Sequence, residues 1–196
     1  MKRYLAEGFL IIFSVLFALF INKLYDTYKI NKQKEIAVES LKKELEINVK
    51  ILERWRKSHQ QIKSRLDSLI TNKNDSLKQE LKKKDFFDLG VLTNQQSLVD
   101  AMMTKTAWET TKSTGIVSEL DFETTQRLTL VYGLQDIITQ RSINKIVDLY
   151  FEAETHQMEN IDLILIQFFI RVEELTGQEN ALSGAYEDMI ERLQEN

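Results

Sequence analysis

The chain has no cysteine and no proline, and only two histidines and six glycines in 196 residues. Without cysteine there are no disulfides and no thiolate metal sites, and either redox compartment is compatible. Without proline, nothing in the chain forces a helix to kink or stop. With histidine limited to His59 and His156, the helical metal spacings His-x-x-x-His and Glu-x-x-His are absent. There is no Gly-x-Ser-x-Gly elbow, no phosphate-cradling glycine loop and no dinucleotide fingerprint. No catalytic, cofactor-binding or metal-ligating residue is therefore assigned. Carboxylate pairs such as Glu152/Glu154 and Glu173/Glu174 read as solvated helix faces. An enzyme is not expected, and only inward carboxylates meeting in one cleft would revive that reading.

What the chain does have is a leading apolar run. From Phe9 to Ile21 only Ser14 interrupts it. With Tyr4 to Gly8 it makes about 18 residues, or ~27 Å at helical rise, close to the hydrocarbon thickness of a bilayer. Residues 1–22 are expected to be a transmembrane anchor. A cleaved signal peptide shares the basic start, Lys2 and Arg3, but should end in a small-x-small site. Ala18-Leu19-Phe20-Ile21-Asn22 offers none. Tyr4, Tyr25 and Tyr28 sit where aromatic interface anchors belong. Glu7 lies in the first turns, where a carboxylate either marks function or helix association, or reaches the headgroups. Lys23, Lys29, Lys32 and Lys34 follow the run, and their count favours a cytoplasmic body. A short basic tail held inside favours export. The reading adopted is a single-pass protein of the bacterial inner (cytoplasmic) membrane with a periplasmic body.

Charge is unevenly spread. Residues 1–34 carry six basic and two acidic side chains, residues 35–92 thirteen and ten, and residues 93–196 seven and eighteen. A basic part near an anionic leaflet and an acidic part away from it is the favourable order. The acidic distal half argues against nucleic acid as a partner. Lys82-Lys83-Lys84 reads as a solvated helix end.

Past the anchor, proline-free sequence rich in Leu, Ile, Glu and Lys predicts an all-α fold. Residues 23–72 form a long helix, and 73–196 the rest of an antiparallel bundle. Val38, Leu41, Leu45, Asn48, Leu52, Trp55, His59, Ile62, Leu66 and Leu69 alternate in steps of three and four, a heptad seam. Lys42, Lys43, Glu44 and Glu46 are assigned to the outer face. Later stripes supply partners for the seam: Leu128, Val131, Leu134, Ile138, Ile143, Val147 and Tyr150, then Ile161, Leu165, Phe168, Val172 and Leu175. An intramolecular bundle is the default, with a homo-oligomer through the seam as an addition. The run 161–171 is too short to span a bilayer and is expected to be buried on several faces.

Capping chemistry sets the boundaries. Residues 71–76 form a polar turn, and Ser76 caps a short helix. Thr93-Asn94-Gln95-Gln96 and Thr106-Ala107-Trp108-Glu109 match the capping box. Gly115 ends a helix, Asp121 caps a long one running to about Glu154, and Thr155 or His156 marks a break. Gly177 closes the next helix, and a last short helix follows. Phe86, Phe87 and Leu89 cover the core.

Six residues are the candidates for an interaction or a pocket: Glu7, Asn48, His59, Trp108, Gly115 and His156. Asn48 and His59 are polar on an apolar seam, where such residues fix register, sense pH, or bond a neighbouring helix. Trp108 beside a Ser-Thr-Gly turn is either a pocket wall or a core anchor. Taken together, Glu7 to Asn22, the charged helix and Trp108…Ser113-Thr114-Gly115 resemble a family of uncharacterised single-pass proteins common in Bacteroidota. That likeness implies a membrane-attached helical domain and transfers no catalytic residue. The expected function is a membrane-anchored interaction or scaffold module with a lipid bilayer and an unknown protein as partners. The rival is a bundle that senses a small ligand near Trp108 and His156 and signals through a partner.

Overall fold

The computed structural model describes the backbone of residues 2–71 and 75–195, and the side chains of 8–71 and 76–194. All regular structure among these residues is helical. The helices are α1 (Lys2–Ile70), α2 (Asp75–Lys82), α3 (Leu89–Thr93), α4 (Thr106–Ser113), α5 (Phe122–Ile137), α6 (Ile143–Phe151) and α7 (Ile161–Glu195). A π-helical turn at Ile138–Ser142 joins α5 to α6, and 3-10 turns occupy Ile116–Glu119, Ala153–His156 and Met158–Asn160. The turn at 72–74 and the side chain of Glu7 lie outside the described residues.

α1 divides into two stretches. Residues 9–33 are exposed throughout, although Phe9 to Leu24 are mostly large and apolar. This is the one described helix long and apolar enough to cross a membrane, and none of the described residues covers that stretch. From Leu41 to Leu69 every seam position is buried, and Val38 is partly buried at its edge. The heptad pattern is thus real, and it is satisfied within the chain. α7 lies antiparallel along α1: Arg56 bonds Asn180 and Ser183, while Lys63 pairs with Glu173 further out. Ile161, Leu165, Phe168, Val172 and Leu175 all face the core, as their spacing requires. Among the described residues the seam side chains from Leu41 to Leu69 are covered by other parts of the same chain. The uncovered part between the apolar run and the bundle is also short. Residues 23–37 span about 22 Å, against ~70 Å if all of α1 past the anchor stood alone.

Several boundaries differ from expectation. Gly177 does not end a helix. α7 runs through it to Glu195, because Leu175, Thr176, Glu179, Leu182, Tyr186 and Met189 keep one face buried on either side. Packing outweighs the ~1 kcal/mol intrinsic cost of an interior glycine. Thr93 ends α3 rather than starting a helix, and Asn94 and Gln95 take left-handed backbone angles, φ 57° and 58°. Ser76 lies inside α2, which begins at Asp75. The π turn adds a residue, so the α6 core stripe is Ile143, Ile146 and Leu149, with Val147 and Tyr150 only partly buried. Phe87 is buried but Phe86 is half exposed. The run 161–171 is buried on one face only, with Leu163, Ile166 and Ile170 exposed. Asp121 does cap α5, accepting from the Thr124 amide at 2.9 Å. Gly115, at φ 76°, stops α4 as expected.

Candidate functional site

The most unusual local arrangement is a polar cluster inside the apolar core. Glu44, Asn48 and His59 on α1, Tyr132 and Gln135 on α5, and Glu179 and Tyr186 on α7 are all buried. An irregular strap, residues 97–104, runs beside these helices and has no regular secondary structure of its own. The buried side chains supply the missing hydrogen bonds.

Asn48 holds the strap as another peptide would. Its Oδ1 accepts from the Thr104 amide at 2.9 Å and its Nδ2 donates to the Thr104 carbonyl at 2.6 Å. Gln135 Nε2 also donates to that carbonyl, and Gln135 Oε1 accepts from the Tyr186 hydroxyl at 2.7 Å. Glu44 closes the far end. Its carboxylate accepts from the Ala107 amide at 2.9 Å, the Trp108 amide at 3.4 Å, the Thr104 hydroxyl at 3.2 Å and the Tyr132 hydroxyl at 2.7 Å. It caps the N-terminus of α4 from another helix, where the free amides and the helix dipole favour a negative charge. No side chain of the Thr106 segment does so. Burial, and then the adjacent Glu44 carboxylate, push the Tyr132 hydroxyl up from the ordinary tyrosine range. Burial does the same to Tyr186. Both phenols stay protonated and act as donors.

His59 ties the strap to α7. The Leu98 carbonyl, 2.8 Å from Nε2, can only accept, so Nε2 carries a hydrogen. Nδ1 stands 2.6 Å from Glu179 Oε1, a buried hydrogen-bond contact between α1 and α7. Glu179 Oε2 is buried with no partner among the described residues. Trp55 donates from Nε1 to Asp100 at 3.1 Å and Arg54 bonds the same carboxylate, fixing the strap between the other two clamps. The Arg54 guanidinium holds the Asp100 carboxyl below the usual range.

Among the candidates read from sequence, Asn48 and His59 belong to this cluster. Trp108 is a core anchor stacked on Tyr132, with centroids 5.6 Å apart, and it adjoins the cluster through its amide. Gly115 is a helix stop. His156 packs elsewhere, against Phe86 and Tyr150, with Nε2 2.8 Å from the Tyr150 carbonyl. Trp108 and His156 have no neighbour in common among these contacts. Glu44, Gln135 and Glu179 were missed. Glu44 is buried, not on the outer face, because it borders the seam three residues after Leu41 and the strap covers that flank. Among the described residues no group of acids and histidines could hold a metal ion.

Beside the cluster, α1 and α4 flank an open groove of about 590 Å³. Ile36, Ala37, Ile47, Ala107 and Ile116 give it apolar walls, and Thr110 adds a hydroxyl. No family model, curated protein or solved structure matches the chain. The likeness to the Bacteroidota family therefore rests on its residues alone.

Proposed function

We propose that the chain is a single-pass, membrane-anchored helical interaction module without catalysis of its own, with its body on the periplasmic side of a bacterial inner membrane. The observation that carries this is the contrast within α1. Residues 9–21 expose an apolar surface interrupted only by Ser14 on the same unbroken helix that forms the bundle core. A surface of that size is not sustained in water, and lipid is the cover its length fits. Asn48, Gln135, Glu44 and His59 spend hydrogen bonds on holding the strap, which supports a structural role for them. The full chain is expected to float with membranes and resist alkaline extraction, and a C-terminal reporter should report the periplasm. Release into the alkaline supernatant, or mature protein lacking residues 1–22, would overturn the anchor. A cytoplasmic reporter signal would reverse the orientation.

A second reading is favoured by the α1–α4 groove, whose volume and apolar walls suit a small lipophilic ligand. The bundle would then be a sensor that signals through a partner. A thermal-shift screen with an Ile47→Asp control separates the two. Stabilisation lost in the variant supports the sensor, and no stabilisation by any lipophile removes it.

A further inference from the structure

We propose that the His59–Glu179 pair is a proton-dependent latch on the strap. It holds the Leu98 end in place only while one proton lies between the two side chains, and it lets that end go when the proton is lost. The pair belongs to the bundle, so the latch does not depend on the anchor.

The contacts fix the number of hydrogens. His59 Nε2 faces the Leu98 carbonyl at 2.8 Å and must donate. Nδ1 faces Glu179 Oε1 at 2.6 Å, and a ring nitrogen and a carboxyl oxygen that close need one hydrogen between them. On Nδ1 it gives imidazolium and carboxylate; on Oε1 it gives a neutral ring and a carboxylic acid. Both forms carry the same protons and no net charge. The two side chains are 1 % and 0 % exposed, so solvent cannot stand in for the proton. Without it, two lone pairs oppose each other in a dry site. The ring must swing away, and Nε2 leaves the Leu98 carbonyl with it. A second proton fares no better. It would sit on Glu179 Oε2, which is buried with no partner among the described residues, and would leave a net positive charge in the core.

The neighbouring elements supply no substitute. On α1, Arg56 bonds the neutral Asn180 and Ser183, and Lys63 pairs with Glu173 of α7. Arg56 adds a cation beside Glu179 and so opposes the second proton. Elsewhere on α7, Glu174 accepts from Gln178 and Glu187 from Ser183, while Tyr186 bonds Gln135 of α5. In the strap, Asp100 is held by Arg54 and Trp55. Lys145 and Asp148 of α6 are exposed, and α3 has no ionisable side chain.

The unfolded chain sets the sign. There the histidine keeps its second ring proton below about pH 6.5, and the glutamate takes one up below about pH 4.3. Between those values the folded pair and the unfolded chain hold equal protons. Above about pH 6.5 the folded pair holds one more, so stability falls as pH rises, by about tenfold in the unfolding constant per pH unit. Below about pH 4.3 the unfolded chain holds one more, and stability falls again. The latch is shut in mildly acidic surroundings and works loose in alkaline ones. The other two clamps, Asn48 on Thr104 and Arg54 with Trp55 on Asp100, have no group that changes charge across that upper range.

The full chain in non-ionic detergent micelles is unfolded with urea from about pH 7 to pH 8.5, above the ordinary histidine range. The wild-type unfolding constant is expected to rise about tenfold per pH unit. Glu179→Gln keeps the shape and lets an amide N–H donate to a neutral Nδ1, so its slope should vanish. His156→Gln, which removes the other histidine, should keep the wild-type slope. Hydrogen exchange at residues 98–100, corrected for the intrinsic rate, should lose protection with rising pH in the wild type before Thr104 does, and not in Glu179→Gln. If that variant fails to fold, NMR of the wild type at about pH 8 reads the proton directly. It should show either both His59 ring nitrogens protonated or the Glu179 carboxyl protonated. A neutral ring beside a carboxylate there would overturn the latch. Equal alkaline slopes in wild type and Glu179→Gln would too, as would a flat wild-type profile or strap amides at 98–100 that open no earlier than Thr104.

Discussion

The two stretches of α1 invert each other. Residues 9–24 hold large apolar side chains on the outside, while residues 44–59 hold Glu44, Asn48 and His59 on the inside. One helix, with one backbone geometry, thus meets two different surroundings. In the first stretch the surroundings must be apolar, because the chain provides no cover. In the second the surroundings are protein, and burial of polar groups is tolerated because each finds a partner. Exposure of oil and burial of charge have opposite signs in water, so their coexistence on one helix marks the border between an uncovered apolar stretch, long enough to cross a membrane, and protein-facing sequence. That border falls near residue 34, where the first partial burial after the anchor begins.

The comparison breaks most easily at the buried pair. Glu179→Ala leaves His59 without its acid in a dry site and should cost about 3–5 kcal/mol, read as a large fall in melting temperature of the body. Phe17→Ala, an equally drastic truncation in the exposed stretch, should leave that melting temperature unchanged. Glu44→Ala orphans the Ala107 and Trp108 amides and the Tyr132 hydroxyl. It should cost about 1–3 kcal/mol for each donor left dry, with less than additive summation, by urea unfolding. Two glycines then give opposite signs. Gly115→Ala forces a Cβ into a left-handed backbone and should destabilise by about 1–2 kcal/mol. Gly177→Ala, in open helical space, should stabilise by about 0.5–1 kcal/mol. The smallest effect is on acid stability. Thr124, then Arg192, hold Asp121 below the ordinary carboxylate range, and Arg54 does so for Asp100. Their folded-state values are depressed, so their contribution is present above about pH 4 and fades as pH falls through the lowered values. Asp100→Asn should flatten that slope slightly in urea titrations between pH 6 and pH 3, both carboxylates being half exposed.

The seam was legible down to its polar members. Asn48 and His59 fill the gaps in the heptad because a buried position is fixed by spacing, whatever residue occupies it. The α7 stripe was legible for the same reason. Glu44 was not, since its burial depends on a strap more than fifty residues away, and no local pattern encodes that. Gly177 carries a stop signal that α7 overrides by packing, and the π turn moves the α6 stripe by one position without any mark in composition. Glu179 could have been suspected only by pairing it with His59, a contact between residues 120 positions apart.

α1 also contains neither glycine nor proline between the apolar run and its last core residue, Leu69. A body mounted on such a shaft has no swivel. Its heading follows that of the apolar run, and on the proposed anchor reading a lean of about 20° in a bilayer would sweep the far end sideways by roughly 25 Å. Any force that tips or twists the apolar end of the shaft reaches Asn48 and His59 directly, with no glycine or proline joint in between to absorb it.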